Sequence, residues 1–242
     1  MTLRKTIITL FLFVLILSPL MTGCSPAKND APVTIKVAIL PVLDILPMLV
    51  AEAEGLYDKY GVVVEFVPVG SAPERDQIVA SGQVHAMMNE ILSVIFLNQE
   101  KVQVQAVRFA RAATPEQGIF KILAAKDSGI TSSADLKGVP VAVGQGTVIE
   151  YLTDRILQGE GLKKDEIQVV AVPKIPDRMS LLASGEVKAA TLPEPFVTLA
   201  VQQGATILLD DAKYHEYSHS VLTFRKDFID EYPDAVKDFL AA

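Results

Sequence analysis

Short apolar runs alternate along the chain with stretches whose apolar residues recur every three or four positions. Val33–Leu40 (VTIKVAIL), Val62–Val67, Val84–Met88, Val102–Val107 and Ile119–Ala125 have the length and β-branched content of strands. So do Val139–Val143, Ile167–Val172, Ala189–Leu192, Thr206–Leu209 and Ser218–Phe224. Between them, helical spacing covers Ile45–Glu54, Ala72–Ser81, a segment opened by Asn89-Glu90, Thr147–Leu157, Arg178–Ala183, a stretch ending at Gln203, and everything from Ile229 onward. Strands alternating with helices predict a parallel sheet with helices on both faces. Ligands of such sheets sit beyond the carboxyl ends of the strands.

The clearest strand-to-helix step is Val139–Leu157 (VPVAVGQGTVIEYLTDRIL). Its apolar run stops at Gly144-Gln145-Gly146-Thr147, and Val148, Ile149, Leu152, Ile156 and Leu157 then fall on one helical face. A glycine turn opening a helix aims backbone N–H groups and the positive helix end outward, which suits an anion or a polar ligand head. An ordinary βα turn carries the same pattern, so the local signal alone leaves both readings open.

An internal repeat changes the picture. Pro73–Ala86 reads PERDQIVASGQVHA and Pro176–Ala189 reads PDRMSLLASGEVKA, aligned without a gap. Each follows a strand ending in Val-Pro, and each is preceded by a strand–loop–helix, Val33–Glu54 and Val139–Leu157. The spacing is far longer than a solenoid unit and predicts two similar α/β lobes.

Acidic residues outnumber basic ones, 29 against 22, without basic clusters, which argues against a nucleic-acid partner. Arg4-Lys5, the apolar Thr6–Leu20 and Met21-Thr22-Gly23-Cys24 have the layout of a secretory signal. The small residues before Cys24 resemble a lipoprotein signal, in which cleavage leaves Cys24 as the lipidated N-terminus. Cys24 is the sole cysteine, so the body has neither a disulfide framework nor a catalytic thiol. With three histidines and no clustered carboxylates, no metal site is expected, and no cofactor either.

The lipoprotein signal, the two related lobes, Asp127–Thr147 (DSGITSSADLKGVPVAVGQGT) and Ala183–Pro195 (ASGEVKAATLPEP) together resemble the solute-binding proteins of nitrate/sulfonate/taurine-type ABC importers. That family also holds binders of thiamine precursors and riboflavin-like molecules. The resemblance implies an α/β, two-lobed periplasmic-binding-protein fold of type II, each lobe a mostly parallel sheet flanked by helices. Its expected layout is a signal peptide at 1–23, a tether at 24–32, lobe one at 33–112 and 215–242, and lobe two at 113–214. It further implies an extracytoplasmic, lipid-anchored monomer that captures a small-molecule ligand and delivers it to an ABC permease in the membrane. Two departures stand out. His85 and Lys188 replace an Asp common in the family, and the chain stops in a helix where family members continue, so the C-terminal part is expected to be truncated.

If the lobes face each other, the strand-end loops line the cleft. The candidate ligand-binding residues are then Pro41, Asp44, Ser71, Asn89, Gln145, Gly146, Thr147, Val148 and Glu194. Thr147 and the amides of Gly146–Val148 suit an anionic or carbonyl group, whereas Asp44, Asn89 and Glu194 suit polar or cationic groups. Ligand charge stays open at this point. Two alternatives also stand: a thiamine-pyrimidine-synthase-like enzyme on the same fold, whose Cys- and His-rich motif is absent, and a truncated lipoprotein without a transport role. Neither Gly-x-Ser-x-Gly nor HExxH occurs, so no catalytic residue is expected.

Overall fold

The structure is a computed structural model that describes residues 32–242. The readings of the leader and of Cys24 lie outside the described residues. Val33–Ala242 forms one compact unit.

In chain order the elements are β1 (Thr34–Ile39), α1 (Leu46–Ala53), α2 (Leu56–Lys59), β2 (Val63–Pro68), α3 (Ala72–Ala80), β3 (Ala86–Glu90), α4 (Ile91–Leu97) and β4 (Val104–Ala112). After a crossing come β5 (Phe120–Ala124), β6 (Pro140–Val143), α5 (Val148–Gly159), β7 (Gln168–Ala171), α6 (Ile175–Ser184), β8 (Ala189–Pro193), α7 (Phe196–Gln202) and β9 (Thr206–Asp210). A second crossing leads back to β10 (His219–Arg225), α8 (Lys226–Glu231) and α9 (Pro233–Ala241).

Two five-stranded sheets result, ordered β2-β1-β3-β10-β4 and β7-β6-β8-β5-β9. The orders correspond position by position, so the sequence repeat is also a repeat of topology. In each sheet four strands share a direction and one opposes them. The opposing strand, β10 in the first sheet and β5 in the second, is the first strand after a crossing. The architecture is the two-lobed periplasmic-binding-protein fold of type II.

Burial explains the strand patterns. Ile35, Val37, Ala86 and Phe224 lie under Phe228 and Phe239 in the first lobe. In the second lobe, Val141, Val143 and Ala189 face the apolar stripe of α5, where Val148, Ile149, Leu152, Ile156 and Leu157 are all buried. A further apolar cluster spans the lobes, joining Leu40 and Val69 of the first to Leu123, Ala142, Ile175 and Leu192 of the second.

Several elements differ from the spacing-based expectation. Asn89 and Glu90 end β3, pairing with Val221 and Ser220 of β10, and Glu90 is also the N-cap from which α4 opens at Ile91. β4 runs on to Ala112 through Arg108 and Arg111, polar residues whose backbone is held by β10 across two register shifts. The final helix is two, because Tyr232 leaves helical geometry before Pro233 restarts it. The first helix begins at Leu46, after a 3₁₀ turn at Leu43–Ile45.

His85 has a structural role. Its Nδ1 accepts the Lys36 N–H at 3.0 Å, and its ring stacks on Phe228 with centroids 4.4 Å apart. Burial, followed by the nearby Arg225 and Lys36, pulls its pKa below the ordinary 6.5. Folding therefore selects the neutral ring. Its contribution is complete above pH 6.5 and is lost as pH falls through the lower folded-state value. The melting midpoint should drop more steeply from pH 7 to pH 5 in the native protein than in His85→Gln, and equal slopes would refute this.

Candidate functional site

The carboxyl ends of the parallel strands bring loops of both lobes to a common edge. Leu40, Val42 and Asp44 follow β1, Ala72 opens α3 and Glu90 ends β3. From the second lobe come Gly144, Thr147, Val148, Ile149, Pro173, Ile175, Arg178 and Pro193, with Ile119 and Phe120 from the first crossing. Together they enclose a chamber of about 40 Å³. That is water-sized and well below the ~300 Å³ of a typical ligand pocket. Beyond it lies a groove of about 320 Å³ lined by Ile91, Ile95, Tyr151, Tyr217 and His219. Glu90 and Val148 line both spaces.

The lobes touch on both sides of the chamber. Leu43 N–H donates to the Glu194 carbonyl at 3.3 Å, and Ile175 N–H donates to the Gly70 carbonyl at 3.3 Å. Lys174 packs against Gly70, where a Cβ would lie at ordinary contact distance, 3.5 Å, from its side-chain carbons. This is a shut cleft.

The sequence-derived candidates fall into four groups. Asp44, Thr147 and Val148 line the chamber. Pro41, Gln145 and Gly146 are exposed beside it. Ser71 and Asn89 are buried and engaged within the first lobe: Ser71 Oγ accepts Glu74 N–H as the N-cap of α3, and Asn89 Oδ1 accepts the Thr223 hydroxyl at 2.7 Å. The Asn89 side-chain NH₂ has no partner. Glu194 is half-buried at the rim, with Oε2 accepting the Thr198 N–H at 3.1 Å and hydroxyl at 2.8 Å, a first-turn cap on α7.

Partners also reshape the Gly-rich turn. Gly146 has φ 72°, the left-handed region that glycine enters at no steric cost. Its N–H donates to Glu150 at 2.6 Å, and Ile149 N–H donates to Thr147 Oγ at 3.2 Å. The Thr147 hydroxyl itself donates to the Gly144 carbonyl at 2.6 Å. Two amides at this helix end are therefore satisfied from within the chain, one of them by a carboxylate.

Three charged side chains face the chamber: Asp44, Glu90 and Arg178. Asp44 is held by Arg111 at 3.2 Å. Glu90 is held by the buried Arg75 at 3.1 Å, and Arg75 also binds Asp76 at 2.9 Å. Burial works against the charge on Arg75, but Glu90 and Asp76 more than offset it, and its pKa stays above the ordinary arginine value. Arg178 is fully buried and has no carboxylate partner. Its Nε donates to the Thr191 carbonyl at 2.9 Å and its Nη1 to the Val172 carbonyl at 2.8 Å, while Nη2 has no partner. Burial alone pulls its pKa down to about 10. Spacing-based reading passes over Arg178 because it lies inside a helix rather than on a loop. The repeat holds the missing signal, since Arg178 is the counterpart of Arg75 while Asp76 and Glu90 correspond to Met179 and Pro193. Among the described residues, no three of His, Cys, Asp and Glu gather as a metal-ligand group.

Solved structures of low sequence identity share this fold. The alkanesulfonate-binding protein SsuA of Xanthomonas axonopodis pv. citri, bound to MOPS, superposes with a TM-score of 0.75 at 16% identity, over 87% of this chain and 71% of that one. The periplasmic nitrate-binding protein NrtA of Synechocystis PCC 6803 gives 0.74 at 16% identity, over 86% and 60%. The aliphatic sulphonate-binding SsuA of Escherichia coli gives 0.68 at 20% identity, over 87% and 71%. No curated protein matches the chain. The family model described as NMT1/THI5 like matches residues 43–242, and the chain belongs to that family.

Proposed function

We propose that this protein is an extracytoplasmic solute-binding protein, anchored through lipid on Cys24, that closes its two lobes on a small organic or anionic solute and presents the closed form to an ABC permease. The observation that carries the reading is the chamber itself. It is built from strand-end loops of both lobes and flanked by interlobe hydrogen bonds, Leu43 to Glu194 and Ile175 to Gly70. The names of the structural neighbours support it, since SsuA and NrtA are sulfonate- and nitrate-binding proteins.

Physically, the two crossings are the hinge. A solute shifts the open–closed balance only by its difference in affinity for the two forms. Moving that balance from 1:99 to 99:1 takes about 5.5 kcal/mol. The two interlobe hydrogen bonds contribute about 1 kcal/mol each, so contacts made by the solute must supply much of the rest. We read the protein as a binder and not an enzyme. His85 is occupied by the Lys36 amide and Phe228, and Cys24 is the only thiol.

Small-angle scattering and thermal melting test this reading. A bound solute should shrink the radius of gyration and raise the melting midpoint. A panel of sulfonates, nitrate, pyrimidines and flavins that changes neither would refute it.

A further inference from the structure

The internal repeat places two arginines at equivalent sites, and the two are used differently. Both guanidiniums reach the strand after their helix and donate to a main-chain carbonyl there, Met88 for Arg75 and Thr191 for Arg178. Arg75 directs its remaining donors to Asp76 and Glu90. Arg178 has Met179 and Pro193 at those positions and donates instead to the Val172 carbonyl at 2.8 Å, just past the end of β7. β6 lies between β7 and β8 in the sheet, so no ladder bond joins the ends of those two strands. The guanidinium spans the gap, with Nε on Thr191 and Nη1 on Val172.

The two strand ends tied in this way lead into the two lobe-two loops that reach lobe one. Val172 is followed by Pro173-Lys174-Ile175, and the Ile175 N–H donates to the Gly70 carbonyl. Thr191 comes shortly before Glu194, whose carbonyl accepts the Leu43 N–H. Proline fixes φ, so Pro173 and Pro176 stiffen the first loop and Pro193 the second. A stiff loop carries the position of its base to its tip, so the spacing of the two interlobe hydrogen bonds is set beneath them, at Arg178. A buried cation without a carboxylate weakens the fold, and Nη2 is left without a partner as well. Stability alone does not account for such a residue.

We propose that Arg178 is a positioning residue for cleft closure, holding the two lobe-two loops at the spacing that lets both bond to lobe one at once. Its purpose rests on the clamp reading above, but it needs no contact with a solute, in keeping with its complete burial. Arginine suits the task because one rigid planar group presents donors on different nitrogens to two carbonyls. Lysine gathers its donors on a single nitrogen at the end of a flexible stem, so it fixes no spacing.

Amide hydrogen exchange, followed residue by residue by NMR on the full chain without added ligand, tests this. The Leu43 and Ile175 N–H groups bond across the cleft and are protected only while it is shut. Those of Val37 and Ile122, in inner strands of the two sheets, are protected by the fold itself. In Arg178→Met, exchange at Leu43 and Ile175 should quicken about tenfold or more relative to Val37 and Ile122. Scattering should show a larger radius of gyration. Arg178→Lys keeps the charge and should show the same selective loss, which keeps the test decisive if Arg178→Met fails to fold. Exchange that quickens by one common factor at all four amides marks Arg178 as a general prop of the fold and overturns the proposal. So does a native ratio of rates in either variant. If Leu43 and Ile175 of the native protein exchange as fast as an unfolded chain, the shut form is not populated and the proposal falls, while the solute panel still decides the clamp. The predicted rates together with no response to that panel keep the positioning role and remove the solute-binding reading alone.

Discussion

Replacing Arg75 by Met is expected to destabilise the protein by about 3 kcal/mol. Arg75 is 1% exposed, with its Nη2 on Glu90 at 3.1 Å, its Nε on Asp76 at 2.9 Å and its Nη1 on the Met88 carbonyl at 3.1 Å. Methionine fills similar volume, so the cost is electrostatic rather than steric. Removing one member of a buried ion pair costs about 3–5 kcal/mol, chiefly because the surviving charge is left without its partner. The low end applies because the side chains of Asp76 and Glu90 keep 26% and 16% exposure and hence some water. Urea denaturation reads the loss directly, as a lower midpoint at unchanged slope. Adding Glu90→Gln to Arg75→Met should recover part of it, because the stranded carboxylate is then gone. A loss below about 1 kcal/mol would show that these groups hydrate freely and that the contrast with Arg178 carries no weight. No carboxylate pairs with Arg178, so Arg178→Met strands no charge. The same substitution at two repeat-equivalent sites is thus expected to have unequal effects on stability.

That contrast also shows what the chain order reveals and what it hides. The apolar runs predict the ten strand positions well, because a strand covered on both faces must be apolar along its length. They carry no direction, so the reversal of β5 and β10 is invisible until the crossings are seen. The polar end of β4, through Arg108 and Arg111, has no apolar signature, and only its pairing with β10 makes it a strand. At the site, the loops that form the chamber are legible, since strand ends and glycine turns mark them. Charge partners are much less so. Asp44 reads as a free loop carboxylate, yet Arg111, 67 residues away, neutralises it. Glu194 reads the same way, and its partner Thr198 is four residues on, a spacing open to inspection. Arg178 is the instructive omission. The segment Pro176–Ala189 resembles Pro73–Ala86, and what marks Arg178 is where the lobes differ, at Met179 within the repeat and at Pro193 just beyond it.

Asp211→Ala is expected to cost about 3–5 kcal/mol, whereas Asp211→Asn should leave stability equal or improved near neutral pH. Asp211 opens the second crossing and is fully buried. One carboxylate oxygen accepts the N–H groups of Ile119 at 2.7 Å and Phe120 at 3.1 Å, at the end of the first crossing, and the other accepts the Ser218 hydroxyl. A single side chain therefore clasps both crossings, and Gly118 is bare where a Cβ would overlap the carboxylates of Asp210 and Asp211. Alanine leaves two buried amides and a hydroxyl without their acceptor, at about 1–3 kcal/mol apiece before relaxation. Asparagine retains the oxygen that takes both amides, and its NH₂ donates to the serine oxygen. The charge is not what the clasp needs. Burial pushes the Asp211 pKa up, against the hydrogen bonds from Ser218, Phe120 and Ile119. For a carboxyl whose folded pKa is raised, the favourable contribution is complete below the ordinary 3.8 and is lost as pH rises through the folded value. The ionised group thus weakens the fold at neutral pH, and the asparagine variant escapes that penalty. Melting curves for the three proteins between pH 4 and pH 8 would show the Asn and native midpoints converging toward the acid end, with Ala below both throughout. An asparagine variant as unstable as the alanine one would mean that the negative charge itself holds the crossings together.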